Sequence, residues 1–188
     1  MNVTIRFVKA CYSIIITLVF SFIVGFYRLV SSTIVISDID NTLADTWPKY
    51  LVYYDSNIKR LMDVEPILPV VNVLYNHYQN KTPVVFLSTR GLRYFFITRN
   101  WLLKQNIRWG KLFLVSSPNH KIFLVKLCSI LFDHVTYYDD LSYNHEFGAV
   151  RFYENSINEL KKMKKIDYYG YDWLMDMRRV FKNVEEQS

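Results

Sequence analysis

Asp38, Asp40, Ser88, Arg90, Lys121, Asp139 and Asp140 stand at the ends of short apolar runs or close behind them. "TIVIS" leads into Asp38, with Asp40 two residues on; "VVFL" leads into Ser88-Thr89-Arg90; "VTYY" ends in Asp139-Asp140. On a continuing strand Asp38 and Asp40 would share a face, because side chains alternate with a period of two. Four carboxylates meeting in one crevice would repel each other unless a cation joined them. Hard oxygen donors with room left for water suit Mg2+. Mg2+ neutralises a phosphate and orients it for in-line attack. One carboxylate can then take the phosphoryl group as an aspartyl-phosphate. Another can give a proton to the leaving group and later activate water. A hydroxyl and a lysine would hold the remaining phosphoryl oxygens as charge builds.

The elements between these residues must bring them together across about a hundred positions. Residues 33–37, 83–88, 112–116, 135–138 and 149–154 read as strands, rich in β-branched and aromatic types. Residues 48–61, 68–78, 92–105, 120–131 and 156–165 read as helices, with Pro66 and Pro69 marking a break. This alternation predicts an α/β fold, a Rossmann-like parallel sheet with helices on both faces. Ligands of such sheets bind beyond the carboxyl ends of the strands, where the polar residues above fall.

"DIDNT", residues 38–42, resembles the D-x-D-x-T signature of the haloacid dehalogenase-like (HAD) superfamily, in its phosphatase branch. "VVFLS" followed by "TRG" is similar to that family's second motif, Lys121 to its third and "VTYYDD" to its fourth. The likeness runs from about residue 33 to 165. It implies Asp38 as nucleophile and Asp40 as general acid and base, with Thr42 ordering the loop around Asp40 and Ser88 binding a phosphoryl oxygen. It implies Mg2+ held by Asp38, the backbone carbonyl of Asp40 and Asp140, with Asp139 as a further ligand or a support behind the ligands. Lys121 opens the helix that leads to the fourth strand, which makes it the phosphate-binding lysine; Lys126 is the rival. Asn144 lies where many members carry another acid, and an amide there would help to position that loop. Arg90 reads equally well as a contact for a substrate anion and as a surface ion pair.

Members of the family often insert a lid. Here about 45 residues separate Thr42 from Ser88, and the first helix must come out of that stretch. What remains supports one helical excursion over 48–63 and no full cap domain, so an open site is expected. "RGLRYFFITRNWLLKQNI" is loosely similar to the corresponding helix of polynucleotide 3'-phosphatase and nucleotidase relatives.

Ahead of the first strand, residues 10–27 carry no charge, close to the ~20 residues a helix needs to cross a bilayer. A single transmembrane anchor is expected there, with a core helix and a signal peptide as the alternatives. Its polar residues read as scattered Ser and Thr rather than as a face. Arg6 and Lys9 before the span and Arg28 after it lean towards a cytoplasmic N-terminus. Residues 1–30 thus form an anchor segment, 31–168 the catalytic domain and 169–188 a helical tail that packs on it. The net charge of +6 fits an anionic surface or partner without selecting one. Two cysteines, Cys11 and Cys128, make no disulfide framework, and the four histidines show no metal-ligand spacing.

The expected function is a membrane-anchored, Mg2+-dependent phosphomonoesterase whose phosphorylated substrate is lipid-linked or a glycan phosphate. The alternatives are a polynucleotide end-phosphatase or nucleotidase, a mutase or phosphotransferase, and a non-catalytic scaffold. Nucleic acid is not favoured, because an anchor suits it poorly. The oligomeric state is left open.

Overall fold

The computed structural model describes residues 3–145 and 149–185, with side chains from 6 to 145 and from 149 to 179. In chain order the elements are α1 (Val3–Val30), β1 (Thr33–Ser37), α2 (Thr46–Tyr50), α3 (Asn57–Met62), α4 (Leu68–Gln79) and β2 (Val84–Ser88). A single 3-10 turn (Leu92–Tyr94) leads into α5 (Phe95–Lys104), β3 (Gly110–Leu114), α6 (Pro118–Leu131) and β4 (His134–Tyr138). Then come β5 (Ser142–Tyr143), β6 (Arg151–Phe152), α7 (Glu154–Lys162), β7 (Ile166–Tyr169) and α8 (Tyr171–Glu185).

Five parallel strands form the sheet in the order β3-β2-β1-β4-β7. The chain steps outward from β1 through β2 to β3, then crosses back to lay β4 on the other side of β1. Connections on either side of the β1–β4 pair therefore leave in opposite directions, which opens a crevice at their carboxyl ends. Both faces of the sheet are covered, so its inner strands β1, β2 and β4 are buried on both sides. Ile34, Ile36, Val85, Leu87 and Val135 pack with α1, α6 and α7. Their alternates Val35, Val84, Phe86 and Tyr138 pack with α4, α5 and α8. A Cβ on Gly110 would lie 2.2 Å from the Phe86 ring, so only glycine lets β3 approach there.

Several elements differ from the sequence-based expectation. Residues 48–61 form no single helix; α2 ends at Tyr50 and α3 begins after its own cap, Ser56, whose hydroxyl accepts from Lys59 N. The stretch 149–154 is not a strand of the sheet: only Arg151 and Phe152 pair, antiparallel to β5 in a separate two-stranded ribbon. The fifth strand is β7, which the sequence reading leaves without an element between a helix ending at residue 165 and the tail. It is an edge strand that pairs only with β4, with Ile166 alone fully buried, so it lacks the apolar signal of the others. The boundary set at residue 168 falls within it. The tail helix α8 packs as expected, inserting Leu174 beside Trp173 and Met177.

Within α1, Arg6–Val30 is long and apolar enough to cross a membrane, with a mean hydropathy of 2.2. One face of the same helix lies along the domain. Phe20 and Val24 are fully buried in the core, with the Phe20 ring edge-on to Phe113. Tyr12 donates to the Leu114 carbonyl at 2.5 Å, the Ser13 and Ser116 hydroxyls meet at 2.6 Å, and Thr17 Oγ1 lies 3.0 Å from His120 Nε2. The Ser and Thr residues that looked scattered in sequence are the docking face.

Candidate functional site

The carboxyl ends of β1 and β4 deliver the acids. Asp38 continues the ladder one residue beyond β1, its N–H donating to the Tyr138 carbonyl at 2.8 Å. Asp139 does the same beyond β4, donating to Tyr169 at 3.1 Å. One carboxylate oxygen from each of Asp38, Asp139 and Asp140 lies within 4.8 Å of the others, and all three residues are buried.

Lys121 enters this group from the first turn of α6. That helix starts where it does because Ser117 caps it, accepting from His120 N at 3.1 Å, and Pro118 occupies its first position. Lys121 Nζ sits 2.9 Å from Asp38 Oδ1 and 2.8 Å from Asp139 Oδ2. Lys126, the alternative lysine, pairs instead with Glu159 on the surface of the domain. The geometry therefore brings Lys121 to the acids and leaves Lys126 away from them.

The three acids are not equivalent. Both oxygens of Asp139 are committed: Oδ2 to Lys121 and the Tyr137 hydroxyl, Oδ1 to Leu141 N at 2.9 Å. Leu141 adopts a φ of 43°, a left-handed conformation that costs a leucine ~1–2 kcal/mol. That strain bends the chain sharply behind the Asp-Asp pair. Asp140 Oδ2 is met by the Ser142 hydroxyl and, at 3.5 Å, by His145 Nε2. Ser142 and His145 bond to each other at 2.6 Å, and Trp47 packs on the His145 ring with centroids 4.7 Å apart.

Asp40 points elsewhere. Its carboxylate is gripped by Arg90, Nε to Oδ2 at 2.9 Å and Nη2 to Oδ1 at 2.7 Å. The Arg90 side chain is 4% exposed against 28% for Asp40, so the arginine reaches the acid from inside the protein. Arg90 Nη1 also donates to Thr98, and Arg90 N donates to the Ser88 hydroxyl at 3.2 Å. Ser88 is wholly buried at the end of β2. Arg90 is thus an internal ion pair rather than a surface one.

Electrostatics separates Asp38 from Asp40. Burial pushes the Asp38 carboxyl well above the usual carboxylate range; Lys121 pulls it back, and Asp139, Asp40 and Asp140 push it up again. Burial likewise raises Asp140, helped by Asp139 and opposed by the bonds from His145 and Ser142. Burial also works against the charge on Asp40, but Arg90 outweighs it, with help from Thr46, and holds that carboxyl below its ordinary value. One ammonium does not balance three carboxylates. The cluster therefore has the donor chemistry of a site for a hard divalent cation.

The Thr42 hydroxyl does not reach Asp40. It accepts from Asp140 N at 3.3 Å and so ties the loop after β1 to the loop after β4. Thr46 takes the role expected of Thr42: its hydroxyl lies 3.1 Å from Asp40 Oδ1 and accepts from Asn41 N at 3.0 Å. Asn41, with a φ of 57°, makes the turn that allows this. Thr46 and His145 were not singled out from sequence. Asn144 donates to the Ala149 carbonyl at 2.8 Å.

Beside the loop that carries Asp40, a groove of about 710 Å³ opens, lined by Trp47, Leu51, Ile67, Leu68, Arg178 and Arg179. Arg178 is fixed at its edge by Asp45 at 2.9 Å and by the Asn41 carbonyl at 3.3 Å. Comparisons of the chain with family models, with curated proteins and with solved structures returned no match.

Proposed function

We propose that this chain is a Mg2+-dependent phosphomonoesterase of the HAD type that works through an aspartyl-phosphate on Asp38 and is held at a membrane by α1. The observation that carries the reading is the meeting of Asp38, Asp139 and Asp140 around Lys121 at the switch point of the sheet. Asp38 and Asp140 would hold the metal with the Asp40 carbonyl, and Asp139, whose oxygens are already engaged, would stand behind them. When bound, Mg2+ supplies positive charge to the phosphoryl group and to the carboxylates around it.

Asp38 attacks phosphorus and takes the phosphoryl group, the bond to the leaving oxygen breaks, and Asp40 gives that oxygen a proton. Water then attacks the acyl phosphate while Asp40 takes the proton back, and inorganic phosphate leaves with Asp38 restored. Lys121 and Ser88 hold phosphoryl oxygens. The grip of Arg90 keeps Asp40 ionised at rest, so before it can donate, Asp40 must take up a proton, carried in by the phosphate monoanion or by water, as the incoming phosphate draws the guanidinium towards itself. The apolar groove beside Trp47 offers room for a bulky leaving group, which favours a lipid-linked or glycan phosphate. The polynucleotide reading has less support, since a helix that holds the domain at a membrane suits such a substrate poorly. A scaffold would be free to lose Asp38 or Asp40, and both are present.

The test is hydrolysis of p-nitrophenyl phosphate by the full chain in detergent, with and without Mg2+, beside Asp38→Asn. The full chain is needed because α1 fills part of the core. Turnover should depend on Mg2+ and fall at least about a thousandfold in the variant. An active Asp38→Asn, or release that ignores Mg2+, would sink the proposal.

A further inference from the structure

We infer that α1 meets the membrane lying in its plane, docked on the domain, and that the bilayer it prefers is anionic. The inference rests on the membrane reading of α1 and not on the phosphatase chemistry. The 18 uncharged residues, 10–27, are the part of α1 fit for a hydrocarbon core. Over that same stretch Tyr12, Ser13, Thr17, Phe20 and Val24 are bonded to, or buried against, β3 and α6. A helix cannot hold a water-soluble sheet along its side and cross a bilayer with the same residues, so docking and spanning exclude each other.

Docking leaves a continuous outer stripe. Ile14, Leu18, Phe22 and Phe26, spaced by four, and then Leu29 are 57–80% exposed, which on a helix is one face. The neighbouring helix α6 runs alongside in the same direction, since Ser13 meets Ser116, Thr17 meets His120 and Arg28 meets Asp133. It adds Phe123 and Ile130, 53% and 75% exposed. A patch of this kind marks an interaction surface.

Charge selects the occupant. Neither α1 nor α6 contains an acidic residue, while Arg6 and Lys9 stand unopposed on their helix at one end of the stripe and Arg28, paired with Asp133, stands at the other. A second copy docking in parallel through α1 would bring Arg6 and Lys9 onto their own kind. Anionic lipid headgroups complement them, and an apolar stripe edged by cations suits the interface between headgroups and acyl chains. Because α1 lies along the strands, the crevice at their carboxyl ends then opens sideways along the membrane surface.

The test locks the docked state. In the full chain, Ser13→Cys and Ser116→Cys, with Cys11→Ser to prevent mispairing, replace two hydroxyls that touch. The oxidised and reduced proteins are floated with phosphatidylcholine vesicles, with and without phosphatidylglycerol. The oxidised form should float as well as the reduced one, better on the anionic vesicles. In the unlocked chain, Leu18→Glu with Phe22→Glu should cut flotation at least tenfold without unfolding the domain. If only the reduced form floats, α1 must undock to enter the bilayer and the in-plane inference fails while the membrane reading stands. If neither form floats and the chain is a soluble dimer, both fail. Hydrolysis of p-nitrophenyl phosphate by the same samples reads the crevice and is independent of these outcomes.

Discussion

Asp38 is a buried carboxylate whose charge only Lys121, shared with Asp139, favours until a further cation joins it. Its carboxyl is raised, first by burial and then by its acidic neighbours, so the folded protein binds a proton that the unfolded chain has lost. Stability from that proton is fully present below the unfolded value, ~4, and is lost as pH rises through the folded value. At neutral pH without metal, Asp38→Asn should therefore stabilise the fold by ~1 kcal/mol, with the gain vanishing in acid; urea unfolding across pH reads both. Asp40 has the opposite sign. Its carboxyl is depressed, burial being outweighed by Arg90, so its contribution is present above the unfolded value and lost as pH falls through the folded one. Arg90→Lys gives up the bidentate grip. The limb of the kcat/KM profile set by Asp40 should then move to higher pH, with kcat down about tenfold; an unmoved limb would disconnect the two residues. The acids and Lys121 were legible in sequence because each stands at a strand end or a capped helix start. Thr46 and His145 were not, because their part depends on a left-handed Asn41 and on a strained Leu141, which no spacing announces.

At the scale of elements, α1 contributes to the domain it was expected only to anchor. Phe20 is wholly buried against Phe113. Phe20→Ala should cost about 3 kcal/mol in urea unfolding of the full chain, the range for emptying a buried aromatic site. Leu18→Ala, two residues away and 64% exposed, should change stability by no more than about 0.5 kcal/mol. Equal effects would mean that the helix is not docked. Residues 12, 13, 17, 20, 21 and 24 share a face at helical spacing, but Tyr, Ser and Thr among apolar residues read as noise until a partner surface appears. The four apolar strands were legible to within two residues, since five-residue runs such as "VVFLS" can be little else. The edge strand β7, with one neighbour and one fully buried residue, carries too little of that pattern to be seen.

At the scale of the molecule, a crevice and an apolar flank are arranged around the five-stranded sheet. The return of the chain from β3 to β4 creates the crevice, and the same crossing helix, α6, carries Lys121 into it and lies beside α1 on the flank. Among the described residues no full lid covers the crevice: α2 and α3 are two short helices, which leaves the approach open to a large substrate. The proposed chemistry requires that Asp38 carry a phosphoryl group. Acid quench of the full chain during turnover, followed by mass spectrometry of the Asp38 peptide, measures this directly. Hydroxylamine-labile phosphate should appear on Asp38 in the presence of Mg2+, accumulate in Asp40→Asn because water is no longer activated, and be absent from Asp38→Asn. Continued hydrolysis with no phosphate on Asp38 in any of these proteins would contradict it.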